Sequence, residues 1–300
     1  MASGSPATGA PFFIVASARS GTTFLRLALN AHPQLAVPPE SRFITELHTA
    51  DEVDPAAFLD ALEAHERFRL WELPIEEVRR RLDGTFSGPI PYRRAVTAPF
   101  EAYAAHHSAS RWGDKTPRYV EHIDLLARLF PEARFVHVIR DGRNVALSYS
   151  HVNFGPRTVA GVAELWARRV RAGIARGRTL ERGRYLEIRS EDLAEDPEGE
   201  LHDICDFLDL DFDPVMLDKN AQSKGVVAKP THNYSPEAAG RKGMSSWQED
   251  MKPGHVEMFE AVAGDLLSEL GYERRYPSPG KTAKLTAALA RRGIPVGRIR

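Results

Sequence analysis

The pattern of apolar and polar positions divides the chain into alternating strand-like and helix-like segments. Phe12–Ser17 is a continuous apolar run rather than an alternating one, as expected of a strand buried on both faces of a parallel sheet. Small residues follow, and then Thr22–Ala31 has the apolar content of a helix. Thr45–Ala109 is helix-rich, with Phe58, Leu59 and Leu62 at helical spacing. Gly84, Gly88, Pro89, Pro91 and Pro99 predict a long surface loop over 84–99. Tyr119, Val120, Ile123, Leu126, Leu129 and Phe130 predict an amphipathic helix that stops at Pro131. A second buried strand is read at Arg134–Ile139, followed by a helix from Gly142 to about Ser150 that Asp141 can cap. Leu165–Thr179 is predicted as a helix bearing Arg168, Arg169, Arg171, Arg176 and Arg178, and Tyr185–Ile188 as a short third strand. Asp196-Pro197 opens another helix, along which Leu201, Ile204, Cys205 and Leu208 form one apolar stripe. Val256–Leu270 is a last strong helix, ended by Gly271.

Strands alternating with helices imply βαβ units, hence an α/β fold with a three-layer parallel sheet flanked by helices. Ligands in such sheets sit beyond the carboxyl ends of the strands. Ala18–Thr23 and Arg140–Ser148 both fall there, so two distant segments can converge on one anion. The expected organisation is a flexible leader over 1–10, a single domain over 11–276 and a basic tail over 277–300. That tail carries Lys281, Lys284, Arg291, Arg292, Arg298 and Arg300 and no acidic residue. It is read as solvated, although a membrane surface or an anionic substrate is a second use for it.

Composition narrows the function classes. The 300 residues are 42% hydrophobic and 27% charged with a formal net charge of −1, so no bulk attraction to nucleic acid is implied. Cys205 is the only cysteine, which excludes an intrachain disulfide and zinc sites built on several thiolates. The apolar run at 12–15 is too short to span a bilayer. Met1–Pro11 lacks the basic start of a signal peptide, so a cytoplasmic setting is expected.

The chemistry starts in the loop after the first strand. Ser17-Ala18-Arg19-Ser20-Gly21-Thr22-Thr23 offers backbone N–H groups at the positive end of a helix, hydroxyls from Ser20, Thr22 and Thr23, and one cation, Arg19. A Walker A loop laid on Gly21 would need Gly at 16 and Lys at 22, where the chain has Ala16 and Thr22. The loop therefore suits a phosphate-like group but not a metal-bound triphosphate. Arg140 and Ser148 could grip a second phosphate; alternatively Arg140 pairs with Asp141 and Ser148 packs against the turn above. Gly240-Arg241-Lys242-Gly243 is a flexible basic loop that could close over an anion.

These segments, in this order, resemble the sulfotransferase family that uses 3′-phosphoadenosine 5′-phosphosulfate (PAPS), over about Phe12–Tyr272. The resemblance implies a P-loop-like fold with Arg19, Ser20, Gly21, Thr22 and Thr23 at the 5′-phosphosulfate. It puts Arg140 and Ser148 at the 3′-phosphate, with Arg241, Lys242 and Gly243 closing on it. Arg189-Ser190-Glu191-Asp192-Leu193 resembles the family stretch that ends the third strand, although Ser190 stands where many members carry a tyrosine facing adenine. His32-Pro33 and Pro39-Glu40 resemble the tyrosylprotein and bacterial branch, in which a glutamate at the position of Glu40 is the base. Cytosolic members use a histidine where Asp114-Lys115-Thr116-Pro117 has Pro117, which supports Glu40.

The reaction implied is transfer of the sulfuryl group to a hydroxyl of a small-molecule, glycan or lipid acceptor, without a metal. Arg19 and Lys115 would neutralise the departing phosphate, and Ser245, or Ser246 in its place, would bond near the sulfuryl group. Residue by residue, a plainer use exists: Glu40 can cap a helix over 41–48, and Lys115 can pair with Asp114. His32, His106, His107 and His122 are lesser candidates for the base. The helical segment at about 45–110 is expected to bind the acceptor. Two rival readings are a kinase or NTPase with a degenerate P-loop, which the missing lysine at 22 opposes, and a non-catalytic nucleotide-binding protein of the same fold.

Overall fold

The computed structural model describes residues 9–82, 88–223 and 246–291. Seven strands occur among them: β1 (Phe12–Ala16), β2 (Leu35–Ala36), β3 (Glu52–Val53), β4 (Ile90–Pro91), β5 (Arg111–Lys115), β6 (Arg134–Ile139) and β7 (Tyr185–Arg189). Five form a sheet in the order β2-β5-β1-β6-β7, and every neighbouring pair is parallel. β3 and β4 make a separate antiparallel pair.

The continuous apolar run of β1 is explained by helices on both faces. Phe13 and Val15 enter one core with Phe135, the segment 117–133 and the helices of 43–104. Phe12, Ile14 and Ala16 enter another with Val136 and Val138, against the helices Thr22–Ala31 and Pro197–Phe207. Alternation persists along the strand, but both faces are apolar because both are covered. A third core joins Ile139 to the helices Gly142–Tyr149, Val159–Gly177 and Pro253–Glu269. The strand ends at Ala16 and Ile139 thus open on one edge of the sheet, where Ser17–Gly21 and Arg140–Ser148 lie side by side.

Several boundaries differ from the sequence reading, each for a local reason. The helix expected from Leu165 begins at Val159, because the Thr158 side chain accepts from the Gly161 N–H and caps it. The single helix expected over 119–130 is a 3₁₀ turn, Pro117–Glu121, and a helix, Ile123–Leu129, separated at His122, whose N–H bonds back to the Tyr119 carbonyl at 2.8 Å. Pro99 lies within the helix Tyr92–His106, not in a loop. Its ring is buried beside Ala98 and Phe100, packing that offsets a missing backbone bond costing about 3 kcal/mol.

β5 had no apolar run to announce it. Its sequence, RWGDK, is polar at three of five positions, yet every residue is buried. Arg111 bonds the carbonyls of Ala10 and Leu208, while Asp114 and Lys115 find partners described below. At Gly113 the Phe12 ring lies so close that an added Cβ would come within 2.2 Å of it, so only glycine fits. The segment expected as an acceptor-side insertion contains the helices Pro55–Ala64, Ile75–Leu82 and Tyr92–His106, gathered around Phe43, Phe68, Trp71 and Phe100. Among the described residues no helix is long and apolar enough to cross a membrane.

Candidate active site

The loop after β1 is shaped by two residues in the left-handed region, Arg19 at φ 72° and Gly21 at φ 81°. Ser20 closes the turn by donating to the Ser17 carbonyl at 2.7 Å. Gly21 is the N-cap of Thr22–Ala31 and brings no side-chain cap. The first helical N–H groups are therefore left for another acceptor, as in anion-binding helix starts. Gly21 has a second constraint: a Cβ there would stand 2.7 Å from the Oγ of Ser190, which is buried behind the loop.

The two segments expected to converge do so by direct bonds. Arg19 Nε donates to Ser148 Oγ at 2.9 Å, and Arg140 Nη1 donates to the Arg19 carbonyl at 3.0 Å. Arg140 does not pair with Asp141. That carboxylate is taken by Arg143, which bonds it through its backbone N–H, Nε and Nη2 at 2.8, 3.0 and 2.7 Å. Burial lowers the pKa of both Arg19 and Arg140, and Arg140 Nε is buried without a hydrogen-bond partner among the described residues. Two desolvated guanidiniums beside an uncapped helix start, with no carboxylate ion-paired to either among the described residues, make a cradle suited to a polyanion.

A carboxylate and an amine lie next to this cradle. Lys115, at the end of β5, donates to Glu40 Oε1 at 2.8 Å, and Arg42 Nε stands 3.8 Å from Oε2. Glu40 does not cap a helix: the short helix Phe43–Glu46 starts after Arg42, without a side-chain cap. Burial pushes the Glu40 carboxyl up, but Lys115, with Arg42 and Arg67, holds it net below its ordinary value. Burial dominates at Lys115 and lowers its pKa, with Glu40 opposing the shift. The neighbouring residues Ser41, Asp114 and Thr116 are bonded to one another and to Tyr119.

The histidines are used elsewhere. His32 bonds the Asp211 carbonyl at 3.0 Å, His106 faces Glu77 at 3.6 Å, His107 bonds the Tyr103 carbonyl at 2.9 Å, and His122 separates two helical segments. Arg241, Lys242, Gly243 and Ser245 lie outside the described residues. Ser246 lies within them and donates to Gln248. Sequence reasoning missed Ser41, Tyr119 and the buried role of Asp114. The available signal was the polar strand-length segment before Pro117, which had no apolar partner pattern to mark it. It also missed Arg143, which bridges Asp141 and Glu260 and lies 3.7 Å from the Trp247 ring centre.

Comparison with known proteins gives the family. The model of the sulfotransferase family matches residues 11–214. Protein-tyrosine sulfotransferase 2 of Gallus gallus is 24% identical over 281 residues, covering 87% of this chain and 69% of that protein. Nodulation protein NoeE of Sinorhizobium fredii is 24% identical over 286 residues, covering 87% and 66%. The omega-hydroxy-beta-dihydromenaquinone-9 sulfotransferase Stf3 of Mycobacterium tuberculosis is 26% identical over 180 residues, covering 56% and 42%. In structure, the sulfotransferase domain of the Synechococcus PCC 7002 olefin synthase shares the fold with a TM-score of 0.62 at 22% identity, covering 91% of this chain and 98% of that one. The sulfotransferase domain from the curacin biosynthetic pathway gives 0.58 at 19% identity, covering 90% and 100%.

Proposed function

This chain belongs to the sulfotransferase family, and on that premise we propose that it carries a sulfuryl group from PAPS to a hydroxyl of a small-molecule, glycan or lipid acceptor, with Glu40 as general base. The observation that supports it most is the direct link of Arg19 to Ser148 and of Arg140 to the Arg19 carbonyl, which makes one cationic cradle from segments over a hundred residues apart. Its Arg140 Nε, without a hydrogen-bond partner among the described residues, and its uncapped helix start fit a group with phosphates at both ends. The hydroxyl class is supported by relatives named for protein tyrosine and for an omega-hydroxy menaquinone derivative. Residues 11–276 act as one domain in this reading, with 45–110 on the acceptor side.

PAPS supplies a sulfuryl group already activated by a phosphate leaving group. Arg19, Ser20, Gly21, Thr22 and Thr23 hold the 5′ end, and Arg140 and Ser148 hold the 3′-phosphate. In the same reading Arg241, Lys242 and Gly243 serve the 3′-phosphate and Ser245 the sulfuryl group. Glu40 takes the acceptor proton as the new S–O bond forms; the electron pair of the broken S–O bond stays on the phosphate oxygen. Arg19 and Lys115 neutralise the charge that gathers there, so positioning and charge stabilisation do most of the work. The Glu40–Lys115 contact of 2.8 Å gives this step an order. While paired, Glu40 is held a weak base. Once Lys115 turns to the leaving phosphate, Glu40 loses its nearest cation and its basicity rises where the proton must be taken.

Thermal-shift titration tests the cradle, with EDTA in the adenosine 3′,5′-bisphosphate arm and excess Mg²⁺ in the ATP arm. Adenosine 3′,5′-bisphosphate is expected to raise Tm, and ATP-Mg²⁺ is not. Stabilisation by ATP-Mg²⁺ alone would put the protein with the P-loop kinases. Arg140→Ala is expected to weaken binding of adenosine 3′,5′-bisphosphate by about ten- to a hundred-fold, the loss of a charge-assisted contact. Adenosine 5′-phosphate, lacking the 3′-phosphate, should bind the variant and the parent alike in calorimetry. An equal loss for both ligands would move Arg140 away from the 3′-phosphate.

A further inference from the structure

Ser41 follows Glu40 in the chain and Asp114 precedes Lys115, and these two neighbours are themselves joined. Asp114 is completely buried, as is Ser41. The Ser41 hydroxyl donates to Asp114 Oδ2, and the Thr116 hydroxyl donates to Oδ1 at 3.0 Å. The Ser41 N–H donates to Thr116 Oγ1 at 3.1 Å. Ser41 Oγ and Tyr119 Oη lie 2.9 Å apart, and Tyr119 Oη accepts from the Ile44 N–H at 3.2 Å.

The donors in this network have one consistent direction. Ser41 has a single hydroxyl proton and gives it to Asp114, so the Tyr119 proton goes to Ser41, and Tyr119 is left to accept from Ile44. All the hydroxyl protons lead to the carboxylate, which needs it as an acceptor at both oxygens. A proton on Oδ2 would turn the Ser41 hydroxyl towards Tyr119, whose own proton would then meet the Ile44 N–H, and a proton on Oδ1 would turn the Thr116 hydroxyl away from the carboxyl. Tyr92 holds the same short helix, donating to the carbonyls of Phe43 and Ile44 at 3.2 and 3.0 Å.

We propose that Asp114 is a positioning residue for the transfer step: through Ser41 and Thr116, its ionised carboxylate fastens the turn that carries Glu40 to the strand end that carries Lys115. The role rests on the reading of Glu40 and Lys115 given above. It has a consequence for pH. Burial raises the Asp114 pKa most, the Ser41 and Thr116 bonds lower it, the Glu40 charge raises it and the Lys115 charge lowers it; the balance is about 7. Tyr119, the other titratable group facing it, stays neutral because burial pushes its pKa well above the ordinary value. Glu40 is held below its own ordinary value. Loss of activity as pH falls through 7 therefore belongs to Asp114 and not to the base.

The test uses Asp114→Asn, Ser41→Ala and Ser41→Thr in the full chain. Asp114→Asn and Ser41→Ala are expected to lower kcat by about ten- to fifty-fold, the effect of a misplaced reacting group, with the Kd for adenosine 3′,5′-bisphosphate within threefold of the parent. Asp114→Asn should also lose the limb near pH 7, and Ser41→Thr, which keeps the hydroxyl, should recover both rate and limb. A parental kcat and pH profile in Asp114→Asn would overturn the proposal. A second readout needs no turnover. Carboxyl-¹³C NMR of the free protein should show one Asp titrating near pH 7 that Asp114→Asn removes. The Asp114 midpoint should rise in Ser41→Ala, which removes a donor to the ionised carboxylate, and return in Ser41→Thr. An unmoved Asp114 midpoint sinks the positioning role whatever the activity. A moved midpoint in a protein that transfers nothing from PAPS leaves the fastening standing and removes the sulfotransfer reading.

Discussion

Glu40→Gln is expected to lower kcat by roughly a thousand-fold while changing the affinity for adenosine 3′,5′-bisphosphate by less than about threefold. Glutamine fills the same space and can accept a hydrogen bond from Lys115, so the turn keeps its shape, but it cannot take a proton from a hydroxyl. The substitution acts a second time through Lys115. Burial already lowers the pKa of that amine, and Glu40 is the group that most opposes the shift. With a neutral partner the lysine holds its proton less firmly, and the departing phosphate loses part of its neutralising charge. The two losses differ in pH dependence: loss of the base is pH-independent, whereas loss of the Lys115 proton deepens as pH rises. Steady-state rates from pH 6 to 9 with calorimetric nucleotide binding separate them. A variant with kcat within tenfold of the parent would assign the proton to another group.

The second large effect is on stability, at Arg143. Its guanidinium bridges Asp141 and Glu260 at 2.7 Å each, with all three side chains nearly sealed from water. Glu260 also accepts from the backbone N–H of Arg275 and Tyr276, and Asp141 from that of Arg143 itself. Arg143→Met preserves much of the volume but strands two carboxylates, at an expected cost of about 3–5 kcal/mol. Equilibrium urea unfolding at pH 7 measures it, and a loss below about 1 kcal/mol would show that water or other donors replace the arginine. Adding Glu260→Gln should recover part of the loss, since one stranded charge is gone. The position matters for function as well: Asp141 caps the helix that carries Ser148, and the ring of Trp247 lies under the Arg143 guanidinium.

The elements legible in the sequence were those whose apolar residues alone define them. β1 shows as an uninterrupted apolar run, and β6 as an apolar run after Arg134 broken only by His137, because helices cover both faces of the sheet. The phosphate-loop candidate was legible because a strand, small residues and a helix start are local features. β5 was not legible. Its charges are neutralised by groups far along the chain, Lys115 by Glu40 75 residues earlier and Arg111 by the Leu208 carbonyl 97 residues later. Local polarity left such a segment without an assigned element. Pro99 misled in the opposite sense, since a breaker residue was accepted where the core could bury it. Within the site, Glu40 and Lys115 entered through family resemblance, while the Ser41–Asp114 link, which depends on tertiary placement, did not.

The left-handed backbone of Arg19 has a thermodynamic side. A residue with a Cβ at that φ costs roughly 1 kcal/mol, which glycine or asparagine would largely avoid. The loop keeps arginine nevertheless, and in doing so points a desolvated cation at Ser148. In the proposed reading, folding free energy is given up at a residue that the donor nucleotide would contact. The empty protein is thus less stable than its chain could make it, and, if Arg19 serves as proposed, a stabilising change there would come at the expense of activity. A screen for thermostable variants would select against the function at this position.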